Sequence, residues 1–212
     1  YNTAVGYAAG GGITTGIQNT LIGGLAGDAL TDADDNVAVG LNALTADTLG
    51  SRSTAIGLGT LATQNFTTAT SSQNTAVGYF AGNAVTTGQY NTLTGSGAGD
   101  ALTTGNENVA IGYGTLTTDD VGSRSTAVGT TALANQNTAT AANIYNTAVG
   151  YAAGNAVTTG VSNTLIGGLS GDVLTDADQN VALGYASLSS DTLGSLSLIH
   201  ISEPTRRTPI SY

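Results

Sequence analysis

The sequence predicts an all-β chain wound as a parallel β-solenoid, a β-roll of about eleven 17-residue coils, on three observations. Segments of the type Asn-Thr-Ala-Val-Gly start at residues 2, 19, 36, 53, 74, 91, 108, 125, 146, 163 and 180. Their spacings run 17, 17, 17 and 21 and then recur, so a 72-residue super-repeat begins at Asn2, Asn74 and Asn146. The fifth residue of every unit is glycine: Gly6, Gly23, Gly40, Gly57, Gly78, Gly95, Gly112, Gly129, Gly150, Gly167 and Gly184.

Each unit reads as strand, turn, short extended run, turn. Counting the Asn as position 1, position 2 is Thr or Val, position 3 is Ala or Leu, and position 4 is Val, Ile or Leu except at Thr94. That is a short strand pattern. A helix is excluded because glycine recurs every few residues at a cost of about 1 kcal/mol each against alanine. The fixed glycine marks a corner, where a positive φ or a close backbone approach is needed. A second apolar position follows at Ile13, Leu30, Val85, Leu102, Val157 and Leu174, then Thr-Thr-Gly or an Asp-rich turn such as Thr31-Asp32-Ala33-Asp34-Asp35.

One unit cannot bury its apolar stripe alone, whereas stacked copies in parallel register close their backbone hydrogen bonds on their neighbours. At about 4.8 Å per strand, eleven coils give a rod roughly 50 Å long. Position 1 is Asn in nine units and Ser in two, Ser53 and Ser125, and stacked amides there can bond up the ladder. A narrow coil explains inward positions filled by Ala, Val and Ile. Leu21, Leu165, Leu44, Leu116 and Leu188 are then left exposed on the second face, which favours association as a homotrimer. The repeat region spans 1–195, as super-repeats 2–73, 74–145 and an incomplete 146–195. Tyr1 stands where Tyr145 precedes Asn146, so the chain reads as a fragment.

Composition narrows the function classes. The net charge is −10, and the basic residues are Arg52, Arg124, Arg206 and Arg207. A phosphate-neutralising surface needs a Lys/Arg stripe, so nucleic acid is excluded as a partner. No run of about 18 apolar residues is present to cross a membrane. Residues 1–195 carry 13 acidic and 2 basic residues and no His, Cys, Lys or Pro. Catalysis needs a nucleophile with a base or paired carboxylates across a cleft, so no catalytic residue and no enzyme activity are expected.

No cofactor is expected. Calcium is the alternative, because Gly23-Gly24-Leu25-Ala26-Gly27-Asp28-Ala29-Leu30 and Gly167-Gly168-Leu169-Ser170-Gly171-Asp172-Val173-Leu174 approach the calcium-binding nonapeptide repeat of RTX-like solenoids. Asp28, Asp100 and Asp172 are its weak metal candidates, although the motif recurs only every 72 residues. The Asp-rich turns could hold a hard cation, but Asp also favours turns intrinsically. Stacked Thr3, Thr20, Thr54, Thr75 and Thr92 raise an ice-binding face, interrupted by Val37, Val109 and Val181. Arg52 and Arg124 follow Asp47 and Asp119-Asp120 and suggest surface pairs worth less than about 1 kcal/mol. Tyr7, Tyr79, Tyr151, Tyr113 and Tyr185 recur by super-repeat and could stack on sugars or on one another. The four-residue expansion puts Asn65-Phe66-Thr67 and Asn137-Thr138-Ala139 on a protruding loop, the candidate contact surface.

At Asn-Thr-Ala-Val-Gly-Tyr-x-Ala-Gly and Asn-Val-Ala-Ile-Gly the sequence resembles the YadA-like head repeats of trimeric autotransporter adhesins and the repeat shafts of bacteriophage tail fibres. The likeness covers residues 1–195, with a longer unit than the roughly 14 residues of adhesin heads. It implies a left-handed parallel β-roll, three chains side by side, and extracellular attachment to a host-surface glycan or protein receptor, on a virion tail fibre or a bacterial cell surface. The period breaks at Leu196, and 196–212 resembles a translated sequencing-library adapter, a non-native or disordered tail outside the repeat. It carries the sole His, His200.

Overall fold

The computed structural model describes residues 1–200. It is an all-β, parallel solenoid without helices. Twelve three-residue strands, from Thr3–Val5 to Leu198–His200, form one sheet in chain order, each hydrogen-bonded to the equivalent strand of the next coil. Register is strict: Thr3 pairs with Thr20, Ala4 with Leu21 and Val5 with Ile22. It holds across the 21-residue coils, where Thr54 pairs with Thr75 and Thr126 with Thr147. Parallel pairing continues past residue 195, since Leu198–His200 lies in register with Val181–Leu183. The rest of the adapter-like segment, 201–212, lies outside the described residues.

Glycine at position 5 is required twice over. Its φ lies between 129° and 143° in all eleven coils, a region essentially closed to residues with a Cβ. A Cβ on Gly23 would also sit 2.4 Å from the carbonyl oxygen of Gly40 in the next coil. The corner is therefore a point of close approach between successive coils.

The alanines point inward as expected, but the leucines join them and position 4 lies on the outer face. Position 3 points inward: Leu21, Ala38, Ala55, Ala76, Leu93, Ala110, Ala127, Ala148, Leu165 and Ala182 are fully buried. Positions 2 and 4 share the outer face, as the two-residue period demands, and Ile22, Ile56, Ile111 and Ile166 remain about two-fifths exposed. Leu21, Leu44, Leu116 and Leu165 are 0 % exposed and Leu188 5 %, so the leucines expected on an open second face are the core itself. The reason is volume. Leucines at positions 9 and 12 reach into the lumen from the opposite wall, and the strand facing them has room for alanine, with leucine once in four coils.

The core is one column of small and branched side chains running through all the coils. Its filling alternates. In the first two coils of a super-repeat, position 9 is Gly10, Gly27, Gly82, Gly99, Gly154 or Gly171 and position 12 is Ile, Leu or Val. In the third and fourth, position 9 is Leu44, Leu61, Leu116, Leu133 or Leu188, and position 12 becomes Asp47, Gln64, Asp119, Gln136 or Asp191. Leucine at 9 thus supplies the apolar volume that position 12 gives up.

Candidate functional site

The position-1 amides form the ladder expected of them, with a geometry that ties both within and between coils. Asn36 Nδ2 donates across its own coil to the Gly50 carbonyl at 2.9 Å, while its Oδ1 accepts the Ser53 backbone N–H of the next coil at 2.8 Å. Asn19, Asn91, Asn108, Asn163 and Asn180 repeat the pattern. Each buried amide spends its donor on a turn carbonyl and its acceptor on a neighbour's N–H, so neither backbone group is left unsatisfied.

Ser53 and Ser125 are too short to do this, and a buried polar floor takes over. Gln64 Nε2 donates to Asp47 Oδ2 at 2.5 Å and to Ser53 Oγ at 3.1 Å, and its Oε1 accepts Asn74 Nδ2 at 2.9 Å. Gln136 repeats this toward Asp119, Ser125 and Asn146. The carboxylates also receive backbone donors, Gly50 and Phe66 on Asp47 and Gly122 on Asp119. Burial outweighs these bonds at Asp119 and pushes its carboxyl above the ordinary 3.8, with the Asp120 charge adding in the same direction. Sequence reasoning missed this network. Its signal was the position-12 column, of which only the apolar members had been read.

The contact-loop residues separate. Asn65 and Asn137 are exposed, but Phe66 is 5 % exposed and turns under the loop, packed at Gly50, with Thr138 in the equivalent place. The exposed tips are 67–69 and 139–143. Thr70–Ser71 pairs back onto Gly50–Ser51, and Ser123 bridges to Asn143 at the second loop. Arg52 and Arg124 do pair, but with Asp35 at 3.6 Å and Glu107 at 3.0 Å on the adjoining coil, because Asp47 and Asp119 are buried.

Asp28, Asp100 and Asp172 lie at position 10 of the second coil in successive super-repeats, so four strand spacings, roughly 19 Å, separate them and they cannot share an ion. Among the described residues, no three His, Cys, Asp or Glu side chains converge as metal ligands. Asp28 accepts the Thr45 hydroxyl at 2.6 Å, while burial holds the Asp100 carboxyl above its ordinary value against backbone donors from itself and Ala101. Asp100 lies in a surface groove of about 290 Å³ between Tyr79 and Tyr113. No family model, curated protein or solved structure matches the chain. The tyrosines do not stack on one another; among the described residues the ring contact is Tyr79 edge-on to Phe80.

Proposed function

We propose that the chain is the shaft or head of an extracellular attachment fibre, such as a bacterial surface adhesin or a phage tail fibre, with no catalytic role. The observation that carries this reading is the uninterrupted in-register ladder, which makes a stiff, extended surface of repeated side chains. Its interior is spent on holding coils together: the asparagine ladder and the Asp–Gln floors are consumed by internal bonds and leave no nucleophile and base side by side. The outer strand face carries the row Ile22, Ile56, Ile111 and Ile166 with Val149 and Leu183 beside it. Aligned apolar side chains of this kind mark a protein interface, and two further copies of the chain cover them in a homotrimer.

Sedimentation equilibrium of the chain tests the assembly, with a mass three times the monomer expected and a monomer at micromolar concentration overturning it. Adhesion of labelled protein to host cells or matrix-coated surfaces tests the attachment role, which fails if nothing is retained above a buffer control. An unchanged melting temperature on adding chelator is expected; a fall would favour the calcium-stabilised solenoid instead.

A further inference from the structure

We propose that the groove between Tyr79 and Tyr113, whose walls recur in the sequence as Tyr151 and Tyr185, is a saccharide site that takes one neutral hexopyranose ring. The proposal rests on the attachment reading for its use and names the site at which attachment occurs.

The groove is built by position 6, the residue just beyond the glycine corner. In the second coil of each super-repeat that residue is small, Gly24, Ser96 or Gly168, and it is flanked one coil away on either side by Tyr7 and Leu41, Tyr79 and Tyr113, or Tyr151 and Tyr185. Walls two strands apart are separated by roughly 10 Å at the backbone. A ring seated between them at contact distances of about 3.5–4 Å on each face needs roughly 7–8 Å. One ring therefore fits, and the volume of about 290 Å³ suits a ligand of that size. The walls are open to solvent, with Tyr113 66 % and Tyr185 74 % exposed. Tyr79 is also braced: Phe80 meets it edge-on, with centroids 4.4 Å apart and planes at 82°.

The floor supplies polar recognition. Asp100 lines the groove together with the hydroxyl-bearing Ser96. The place a Cβ would take on Gly97 lies 3.6 Å from Asp100 Oδ2, and Asp100 itself is half-buried at the groove floor. A pyranose has an apolar C–H face for each tyrosine and hydroxyl edges for a carboxylate, which matches two aromatic walls and an acidic floor. Acidic sugars are repelled by Asp100 and by a chain of net charge −10.

The first super-repeat is an internal contrast. There the second wall is Leu41, and the Thr45 hydroxyl occupies Asp28. In the second super-repeat the wall is Tyr113, and the equivalent Thr117 hydroxyl turns away to the Ala134 carbonyl. In the third the wall is Tyr185, whose ring lies beside Gly168, and Asp172 Oδ1 is buried without a hydrogen-bond partner. A second tyrosine and a carboxylate free of a threonine cap therefore occur together. The Tyr79–Tyr113 and Tyr151–Tyr185 pairs lie four coils, roughly 19 Å, apart on one side of the rod. The outer strand residues Val77, Thr94 and Ile111 do not line the groove, which leaves the apolar sheet face to other copies of the chain.

Saturation-transfer NMR on the full chain with methyl glucoside, galactoside and mannoside, at millimolar concentration, tests the site. Transfer to ring C–H protons of at least one neutral glycoside is expected. It should fall more than tenfold in the Tyr113→Ala/Tyr185→Ala double variant, whose melting temperature serves as the folding control. Asp100→Asn/Asp172→Asn should relax the discrimination against the methyl glucuronide. Leu41→Tyr with Thr45→Val should raise the signal by completing a third groove. Absence of transfer from all three neutral glycosides overturns the proposal, as does a signal unchanged by loss of the two tyrosines. Binding of choline chloride in place of the sugars, at the same tyrosines, would reassign the groove to a cation. In the adhesion assay, a double variant that still adheres removes the groove and leaves the attachment role standing, whereas a parent chain that never adheres removes the attachment role alone.

Discussion

The two halves of each 72-residue super-repeat solve the same packing problem by opposite means. Coils one and two carry glycine at position 9 and an aliphatic residue at position 12; coils three and four carry leucine at 9 and Asp or Gln at 12. The apolar half is held by dispersion and burial alone beneath its asparagine ladder. The polar half places a hydrogen-bonded Asp–Gln pair on the axis where the adjoining serines, Ser53 and Ser125, break that ladder. A solenoid needs each coil to satisfy the backbone groups of the next. Where position 1 is a serine, Gln64 or Gln136 ties its hydroxyl to the side-chain amide of the next coil's Asn.

The sharpest way to break the contrast is to remove one member of the polar floor. Gln136→Leu strips the side-chain amide donor from Asp119 Oδ2 and the acceptor from Asn146 Nδ2, inside a coil that Leu116 and Leu133 already fill. Losing one donor to a buried carboxylate that keeps the Gly122 N–H costs about 1.5–3 kcal/mol, and the lost bonds to Ser125 and Asn146 add to it. Urea denaturation should show a loss of this order. A comparable midpoint for Gln136→Leu and the parent chain would mean that water reaches the floor.

The apolar half should respond to added volume instead. Gly99 has φ +57°, and a Cβ there would lie 2.8 Å from Leu93 Cδ2 and 2.9 Å from Leu102 Cδ1. Overpacking and the left-handed backbone together predict a loss of roughly 2–3 kcal/mol for Gly99→Ala. The same urea midpoints measure it, and a neutral result would show that the lumen can widen.

Much of this fold was legible because stacking repeats each residue's environment. Coil length, register, the glycine corner and the asparagine ladder all follow from spacing and residue type. The inward face did not. Position 3 and position 4 are both apolar, and only the leucines arriving from positions 9 and 12 decide that alanine must face them. Phe66 was misplaced for a related reason: loop length announces an excursion, but not that its first aromatic residue folds back to cover Asp47. Nor does residue type announce the left-handed column at position 17, where Asp35, Arg52, Tyr90, Glu107 and Arg124 all have φ near 60°. Apart from Asp35, none of these is a residue that sequence reasoning would place there, and the stack over-determines them through bonds such as Arg52 N–H to the Asp34 carbonyl.

Proton linkage gives the polar floor a signature of its own. Asp119 has its folded-state carboxyl raised above 3.8 by burial, so between that value and its folded value the native chain binds more protons than the unfolded one. Stability is therefore greatest below the unfolded value and declines as pH rises through the folded value, by no more than about 1.4 kcal/mol per pH unit for this one group. Melting temperatures between pH 4 and 7 should rise on acidification. Asp119→Asn should flatten the slope, leaving the contribution of the same sign from Asp100. A slope that survives the substitution unchanged would remove Asp119 as its source.

The smallest expected effect concerns backbone strain within the wide coil. Thr131, at position 7, has φ 54°, whereas the same position in the two preceding coils is Gly97 and Gly114. A left-handed conformation costs an L-residue roughly 1–2 kcal/mol, and a β-branched one is among the least suited to it. Thr131→Gly keeps the N–H bond to the Tyr113 carbonyl and the carbonyl bond from Asn155 Nδ2, since both belong to the backbone. Glycine gives back about 0.5–1 kcal/mol through the entropy of the unfolded chain. The net expectation is a gain of roughly 0.5 kcal/mol, seen as a slightly higher melting temperature, with Thr131→Ala closer to neutral. If both variants lose stability, the Thr131 side chain contributes more through packing over Gly114 than its backbone costs, and the wide coils tolerate strain because their loops are held from outside as well as from the floor.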